Sequence, residues 1–358
     1  MKFRAMFSSK KHFKGLLTTS VVFTLIMLLS IWSPSIPPFQ SSICPSPSYK
    51  AIKTTSGDEL EMALSGASMA NKTLIIAILN KAYIEGEKPM LDIFLESFWL
   101  GEKTQFLVDH LLLVAMDQTA FDRCKFLRLH CYRLVTEGVD FGGEKLYMSR
   151  DFINMMWRRT IFLAEVLQRG YSFIFTDIDI MWLRNPFLHL HQNETDMQIS
   201  CDKFGTSRWC RYNLINTGFY FVKSNNKTIA LYNKWYASRN ETKYKGMKEQ
   251  DVLKSMIRGG QFRAMGLTVS YLDTVYFSGF CEKSKRFGLV ATVHANCCRT
   301  INAKVVDLTA VLRDWKDLKT MVASRKRARG VNNETRVIGW SLHTACLNSW
   351  NGFREQIL

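Results

Sequence analysis

The sequence predicts an α/β fold in which a parallel sheet carries helices on its faces. Short apolar runs without charge alternate with longer segments whose apolar residues recur at helical spacing. The runs that predict strands are Thr73–Leu79, Leu111–Met116 and Phe173–Phe175, and the segments that predict helices are Met90–Leu100 and Met148–Leu167. This strand–helix–strand–helix–strand order is typical of α/β proteins.

Each predicted strand ends in a polar side chain suited to ligand binding. Asn80 follows the first strand, Asp117 the second, and Asp177 and Asp179 the third. Ligands of open α/β sheets bind outside the carboxyl ends of the strands. We therefore expect these four residues to surround a binding cleft.

The two aspartates lie within the segment Ser172–Leu183, SFIFTDIDIMWL. In an extended chain, residues i and i+2 point to the same side, so both carboxylates would face one way. Two ionised carboxylates that close together are costly to bury unless a cation neutralises them, and a divalent metal is the simplest candidate. The alternative is structural: one aspartate caps a turn and the other pairs with an arginine such as Arg184.

The segment Asn213–Val222, NLINTGFYFV, predicts a further strand, and Gly218 interrupts it. A glycine here either allows a close approach of the backbone to a ligand or marks a bulge. The next predicted helix is Lys248–Ile257, and Asp251 lies near its start. This carboxylate either favours the positive end of the helix or faces the cleft.

The strand predicted at Leu289–Ala295, LVATVHA, delivers His294. A single histidine at a strand end is often structural, but beside a carboxylate pair it is also a metal ligand of the right type. Both interpretations stay open from the residues alone.

The N-terminus predicts a membrane anchor. Residues 15–32 form an uncharged apolar segment just long enough to cross a bilayer, and the basic residues of 1–14 before it predict a cytosolic tail. A cleaved signal peptide is the alternative, but no small-x-small cleavage site follows. The Pro/Ser-rich residues 33–70 predict a stem, which leaves 71–358 as a lumenal domain.

The net charge of +17 predicts an anionic partner: nucleic acid, an acidic membrane, a polyanionic glycan or a phosphorylated small molecule. A lumenal domain argues against nucleic acid. All nine cysteines follow the predicted anchor, where disulfides are permitted, and Cys201 and Cys210 bracket a short loop and could pair. The odd count leaves one cysteine free or intermolecular, as in a disulfide-linked oligomer, and no spacing predicts a zinc site.

Five sequons for N-glycosylation support the lumenal topology and predict a glycoprotein. Their acceptor residues are Asn71, Asn193, Asn226, Asn240 and Asn333.

In combination, these motifs resemble the nucleotide-sugar glycosyltransferases of the GT-A fold. Within them the chain resembles glycosyltransferase family 77, plant enzymes that include rhamnogalacturonan xylosyltransferases and extensin arabinosyltransferases. The resemblance runs from about Asn71 to Phe353. It is carried by RRTIFLAEVLQRGYSFIFTDIDIMWLRNPF at Arg158–Phe187, NTGFYFV at Asn216–Val222, KEQDVL at Lys248–Leu253 and TVHANCC at Thr292–Cys298.

The resemblance implies a type II Golgi membrane protein and a DxD motif at Asp177-Ile178-Asp179. By that resemblance Asp177 contacts the ribose or the metal, Asp179 ligates Mn²⁺ or Mg²⁺, and His294 completes the metal site. The remaining implied roles are the nucleotide pocket for Asn80 and Asp117, the diphosphate for Arg158, and the sugar and acceptor for Asn216, Gln250 and Asp251. The His with a following Gly and Lys that ends many GT-A sites is not evident after His294.

The function implied is metal-dependent transfer of a sugar, with xylose or arabinose favoured, from a UDP-sugar to a cell-wall polysaccharide or glycoprotein. Related enzymes retain the anomeric configuration, either through a covalent intermediate, for which Asp251 is the one nearby acid, or by attack from the leaving-group side. The alternative is a lumenal carbohydrate-binding or scaffolding protein that kept the fold and lost catalysis. A two-metal phosphatase or nuclease would need a second acidic cluster, which the sequence lacks.

Overall fold

The structure, a computed structural model, describes residues 56–136, 139, 141–327 and 339–350. The predicted cytosolic tail and membrane anchor lie outside these residues, as does the sequon at Asn333. Within the described part of the chain, no helix is both long enough and apolar enough to span a bilayer. The acceptor residues of the other four sequons, Asn71, Asn193, Asn226 and Asn240, are exposed.

Strands and helices alternate along the first half of the described chain, and strands cluster in the second half. The strands are β1 (Thr73–Leu79), β2 (Leu111–Ala115), β3 (His130–Arg133), β4 (Ser172–Thr176), β5 (Ile180–Trp182), β6 (Met197–Lys203), β7 (Leu214–Val222), β8 (Val269–Tyr271), β9 (Phe277–Gly279) and β10 (Thr292–His294). The helices are α1 (Ser56–Ala67), α2 (Met90–Leu100), α3 (Gln118–Phe126), α4 (Arg150–Gln168), α5 (Asn226–Ser238), α6 (Glu249–Arg258), α7 (Gln261–Ala264), α8 (Ile301–Arg327) and α9 (Thr344–Asn348).

Seven strands form one sheet in the order β3-β2-β1-β4-β7-β6-β8. The first four strands are parallel, β7 runs antiparallel to both β4 and β6, and β8 is parallel to β6. The carboxyl ends of β1, β2 and β4 therefore lie at one edge, which is the geometry that places ligands in α/β sheets. The α/β prediction is confirmed, with one antiparallel strand in an otherwise parallel sheet.

The central strands are apolar throughout because both faces of the sheet are covered. Along β1, Leu74 and Ile76 pack into one hydrophobic cluster, while Ile75 and Ala77 pack into the cluster on the opposite face. Burial on both faces explains why this strand reads as a continuous apolar run.

A second sheet of three strands, in the order β5-β10-β9, brings distant segments to the end of β4. In its register His294 lies opposite Ile180, and the amide of Ala295 donates to the carbonyl of Asp179 at 3.0 Å. The expectation that Asp177 and Asp179 lie on one extended strand is wrong, because the chain turns between β4 and β5 and enters the second sheet.

Helix α1 lies inside the segment predicted as stem. Its residues Leu60, Leu64 and Ala67, spaced at i, i+4 and i+7, are fully buried and join the core of the large sheet. The folded domain therefore extends upstream of residue 71, the boundary that composition alone suggested.

Three disulfides connect cysteines of the described chain: Cys124–Cys131, Cys281–Cys297 and Cys298–Cys346. The expected pairing of Cys201 with Cys210 is wrong, since both are free. Cys201 is buried among apolar side chains of the sheet core, whereas Cys210 lies on the loop between β6 and β7.

Candidate functional site

The carboxylates of Asp177 and Asp179 converge on His294 at the end of β4. The imidazole Nε2 atom of His294 lies 3.9 Å from Asp177 Oδ2 and 3.3 Å from Asp179 Oδ1. Among the described residues, this trio is the one group of three or more His, Cys, Asp or Glu side chains whose ligand atoms come within 4.8 Å of one another.

Each carboxylate of the pair uses its other oxygen to bind a cation. Arg159 Nη1 lies 3.1 Å from Asp177 Oδ1, and Lys304 Nζ lies 2.8 Å from Asp179 Oδ2. One oxygen of each aspartate is thereby engaged, while the second faces the space beside the imidazole. The structural alternative, in which an arginine neutralises one aspartate, holds for Asp177, but the arginine is Arg159, since Arg184 pairs with Glu102.

The donor set fits a divalent metal ion. Two carboxylate oxygens and one imidazole nitrogen are ligands that Mn²⁺ accepts, and the partly exposed Asp177 leaves room for further oxygen ligands from a substrate. Arg159 and Lys304 bind Asp177 Oδ1 and Asp179 Oδ2, respectively. The other oxygen of each aspartate faces His294 Nε2 and is left for a metal ion.

The pKa values of the trio reflect burial opposed by neighbouring charge. Burial raises the pKa of Asp177, although Arg159 opposes the shift. For Asp179, burial is outweighed by Lys304 and His294, which hold its pKa far below the usual range. Burial would lower the pKa of His294, but the carboxylates of Asp179 and Asp177 together outweigh it and raise the pKa. A bound cation would replace the proton that these carboxylates attract to the imidazole.

Glycine at position 218 allows strand β7 to pass directly behind the trio. A Cβ atom there would lie 2.4 Å from His294 Cε1, 2.6 Å from Asp177 Oδ2 and 2.9 Å from Asn216 Oδ1. The carbonyl of Gly218 also accepts a hydrogen bond from the amide of Asp177 at 2.7 Å. Both roles expected for this glycine are observed: the backbone approaches the site closely, and the β6–β7 register shifts between the pairs Ile199–Tyr220 and Cys201–Ile215, which flank Gly218.

A buried ion pair supports the trio from behind. Arg159 Nη2 lies 2.6 Å from Glu249 Oε1, and both side chains are almost fully buried. The hydroxyl of Thr217 donates to the same carboxylate oxygen at 2.8 Å, and the amide of Thr217 donates to Gln250 Oε1 at 3.0 Å. Burial would lower the pKa of Arg159, but Glu249 and Asp177 outweigh it, so the guanidinium stays charged.

The trio opens into a cleft of about 350 Å³. Its walls carry both signs of charge. The acidic side chains are Asp177, Asp179, Asp202 and Glu249, and the basic ones are Arg159, Lys248, Arg299 and Lys304. A narrower apolar slot adjoins the cleft beside the ends of β1 and β2, and Asp177 and Arg159 line both spaces.

Two of the expected nucleotide-pocket residues hold loops in place. Asn80 lines the slot, and its amide donates to the carbonyls of Phe141 and Gly143. Asp117 caps α3 and accepts hydrogen bonds from the amides of Ala120 and Lys81, and it does not line the cleft or the slot. The structure thus brings Asn80 to the site and gives Asp117 a structural role.

Asn216 and Gln250 line the cleft as expected, whereas Arg158 and Asp251 do not. Asn216 donates to Asp202 at 2.9 Å and accepts from the amide of Gly218. The expectation for Arg158 is wrong because its guanidinium turns away from the cleft and donates to Thr136 and Val135. Asp251 does not line the cleft, because the first turn of α6 places Glu249 and Gln250 there instead.

Sequence reasoning missed Arg159, Glu249, Thr217 and Lys304. Helical spacing could have identified Arg159, because the residues four before and four after it, Met155 and Leu163, are apolar and buried. No local signal identifies Lys304, which reaches Asp179 from a helix that the pattern did not predict.

Comparisons with known proteins identify related sequences. A family model described as nucleotide-diphospho-sugar transferase matches residues 106–308. Two Arabidopsis thaliana proteins described as uncharacterized are 55% and 39% identical, each over 82% of this chain and over 85% and 74% of their own lengths. A UDP-D-xylose:L-fucose alpha-1,3-D-xylosyltransferase of the same plant is 24% identical over 49% of this chain and 47% of its own.

Proposed function

Because the chain belongs to the nucleotide-diphospho-sugar transferase family, we propose that it transfers a sugar from a UDP-sugar to a glycan acceptor in a metal-dependent reaction. The observation that carries the proposal is the convergence of Asp177 Oδ2, Asp179 Oδ1 and His294 Nε2 at the end of β4. These atoms would hold Mn²⁺ or Mg²⁺. The bound ion would neutralise the diphosphate as it leaves.

Lys304 and Arg159 would stabilise the negative charges of the donor phosphate and of the two aspartates. Lys304 is 19% exposed and lines the cleft, so its ammonium can contact a phosphate oxygen while it pairs with Asp179. Arg159 is almost fully buried and acts by fixing Asp177. The apolar slot beside β1 would accept the base of the donor nucleotide.

We propose that transfer proceeds with retention, as in related enzymes, by attack from the leaving-group side. The acceptor hydroxyl oxygen bonds to the anomeric carbon, the bond from that carbon to the phosphate oxygen breaks, and the hydroxyl proton passes to the departing phosphate. Among the described cleft residues, every carboxylate already has a partner. Asp202 accepts from Asn216 and Asn296, and Glu249 pairs with Arg159, so a covalent nucleophile has little support.

The xylosyltransferase relative and the resemblance to family 77 support xylose or arabinose as the sugar, and a cell-wall polysaccharide or glycoprotein as the acceptor. We also propose a type II membrane protein of the Golgi, with residues 33–358 in the lumen. Treatment with an N-glycosidase would then increase the mobility of the protein on a gel. An unchanged band from plant cells would contradict the lumenal topology.

The decisive experiment measures UDP release by the purified full-length protein with Mn²⁺ and UDP-xylose, UDP-arabinofuranose, UDP-galactose or UDP-glucose. Release from one donor that EDTA abolishes, and that Asp179→Asn also abolishes in a folded protein, would support the proposal. UDP binding without release from any donor, with candidate acceptors present, would favour the non-catalytic alternative. Absence of UDP binding would refute the donor assignment.

A further inference from the structure

An aromatic and basic wall lines a part of the cleft that does not border the apolar slot. Tyr147, Lys248, Arg299 and Trp350 line the cleft, and none of them lines the slot beside β1. We call these four residues the outer wall. The position of the outer wall separates it from the space proposed for the donor base.

The outer wall is built by stacking. The guanidinium of Arg299 lies 4.2 Å from the centre of the Tyr147 ring and 3.7 Å from that of Trp350. The ammonium of Lys248 lies 5.1 Å from the Tyr147 ring. Two cations are therefore held over aromatic faces, an arrangement that fixes their positions.

One disulfide and two hydrogen bonds hold this wall in place. The Cys298–Cys346 disulfide joins the residue before Arg299 to helix α9, and the amide of Arg299 donates to Ser349 Oγ at 3.1 Å. The indole of Trp350 donates to the carbonyl of Cys297 at 2.7 Å. The end of α9 is thus fixed against the cleft, with Trp350 38% exposed.

Within the outer wall, Lys248 is the cation available to an anionic ligand. No ion pair among the described residues includes Lys248, although it lines the cleft. Three of the cleft carboxylates pair with other cations: Asp177 and Glu249 pair with Arg159, and Asp179 pairs with Lys304. An anionic group that enters this side of the cleft would therefore meet a positioned cation.

We propose that the outer wall is an acceptor subsite that binds a carboxylated sugar. The exposed face of Trp350 packs against the apolar face of the sugar ring, and Lys248 binds its carboxylate. Arg299 lies only five residues after His294, so its Cα is within about 18 Å of the proposed metal ligand, a span of a few sugar units. The inference rests on the proposed glycosyl transfer and names the class of acceptor.

The test is calorimetric binding of trigalacturonic acid and of galactotriose, its neutral analogue, to the full-length protein saturated with Mn²⁺ and UDP. We expect the acidic trisaccharide to bind about tenfold more tightly or better, which is the effect of one charge-assisted contact. Lys248→Met should abolish that preference. The matched control is Lys245→Met, which removes the same charge from an exposed position outside the cleft.

The outcomes separate this inference from the proposed function. Equal affinity for both trisaccharides, or no binding of either, would overturn the subsite. If the same protein still bound UDP and Mn²⁺, the proposed glycosyl transfer would be unaffected. A large loss of UDP affinity in Lys248→Met would also overturn it, because the lysine would then belong to the donor site. Acid-selective binding by a protein that binds no UDP would refute the donor assignment alone. If Lys248→Met lowers the unfolding temperature, Lys248→Arg is measured in its place. This variant keeps the positive charge and should therefore keep the preference for the acidic trisaccharide.

Discussion

Substitution of Gly218 by alanine provides the sharpest test of the site geometry. The added methyl group would lie 2.4 Å from His294 Cε1 and 2.6 Å from Asp177 Oδ2. Non-bonded carbon atoms settle at about 3.5–4.0 Å, so the imidazole must move by about 1 Å or strand β7 must retreat. The backbone has little freedom, because the Gly218 carbonyl accepts from the Asp177 amide. We therefore expect the side chains of the trio to move.

A misplacement of about 1 Å at a catalytic centre lowers activity about 100-fold. We expect UDP release by Gly218→Ala to fall by that order, and Mn²⁺ affinity to fall with it, since two of the three ligands are displaced. Overpacking should lower the free energy of unfolding by about 1–3 kcal/mol. Calorimetric titration with Mn²⁺, the UDP-release assay and thermal unfolding measure the three effects.

Gly288→Ala is the matched control, because a Cβ atom there would meet nothing within 4 Å. It should behave as wild type in all three assays. If Gly218→Ala bound Mn²⁺ with unchanged affinity in a folded protein, then the close contact of Gly218 with the trio, or the metal assignment, would be refuted.

Three further changes test the surroundings of the trio. Arg159→Met leaves Glu249 buried without its cation and should lower the free energy of unfolding by about 3–5 kcal/mol in a denaturant titration; a loss below about 1 kcal/mol, the usual value for exposed pairs, would contradict the buried pairing. Lys304→Met should weaken Mn²⁺ binding, because Asp179 loses the cation that holds its second oxygen away from the metal position, and should weaken UDP binding about tenfold or more through the loss of a phosphate contact; an unchanged affinity for either ligand in calorimetry would contradict the assignment. Replacing Cys298 and Cys346 together by serine opens a 48-residue loop and should lower the free energy of unfolding by about 4 kcal/mol, and an unchanged denaturation midpoint would contradict this.

The sequence predicts elements well where the apolar pattern is uninterrupted. The bounds of β1 and α2 match the predicted Thr73–Leu79 and Met90–Leu100, because a strand buried on both faces and a helix with a wide apolar stripe each leave a direct signature. Helix α8 was missed because its buried residues, Leu308, Val311, Leu312 and Trp315, are spaced among charged residues. The face against which that stripe packs comes from the tertiary structure, where α8 contacts α2 and α9 and its buried residues join the cluster that includes the second sheet.

The candidate site also has a part that the sequence predicts and a part that it does not. The pair Asp177 and Asp179 is visible in the sequence as polar residues at the end of an apolar run. Their convergence has a different cause from the one expected, since a turn into the second sheet, rather than an extended chain, brings them to His294. The register between β5 and β10 decides this meeting, and a register between strands more than 100 residues apart has no local signature.

The choice between adjacent arginines shows what fixes the charge balance of the site. Arg158 and Arg159 differ by about 100° around one helix. Arg159 pairs with Glu249 and Asp177 because it lies on the buried face of α4. A lysine from α8 completes the balance at Asp179.

Each of these cations takes one carboxylate oxygen and leaves the other facing His294, so the cations decide which atoms remain for a metal. A related chain that kept both aspartates but lost Arg159 or Lys304 would keep the same motif. Its carboxylates would nevertheless be free to turn and pair differently. Retention of the two-aspartate motif is therefore weaker evidence for an intact metal site than retention of the motif together with its buried arginine and its distant lysine.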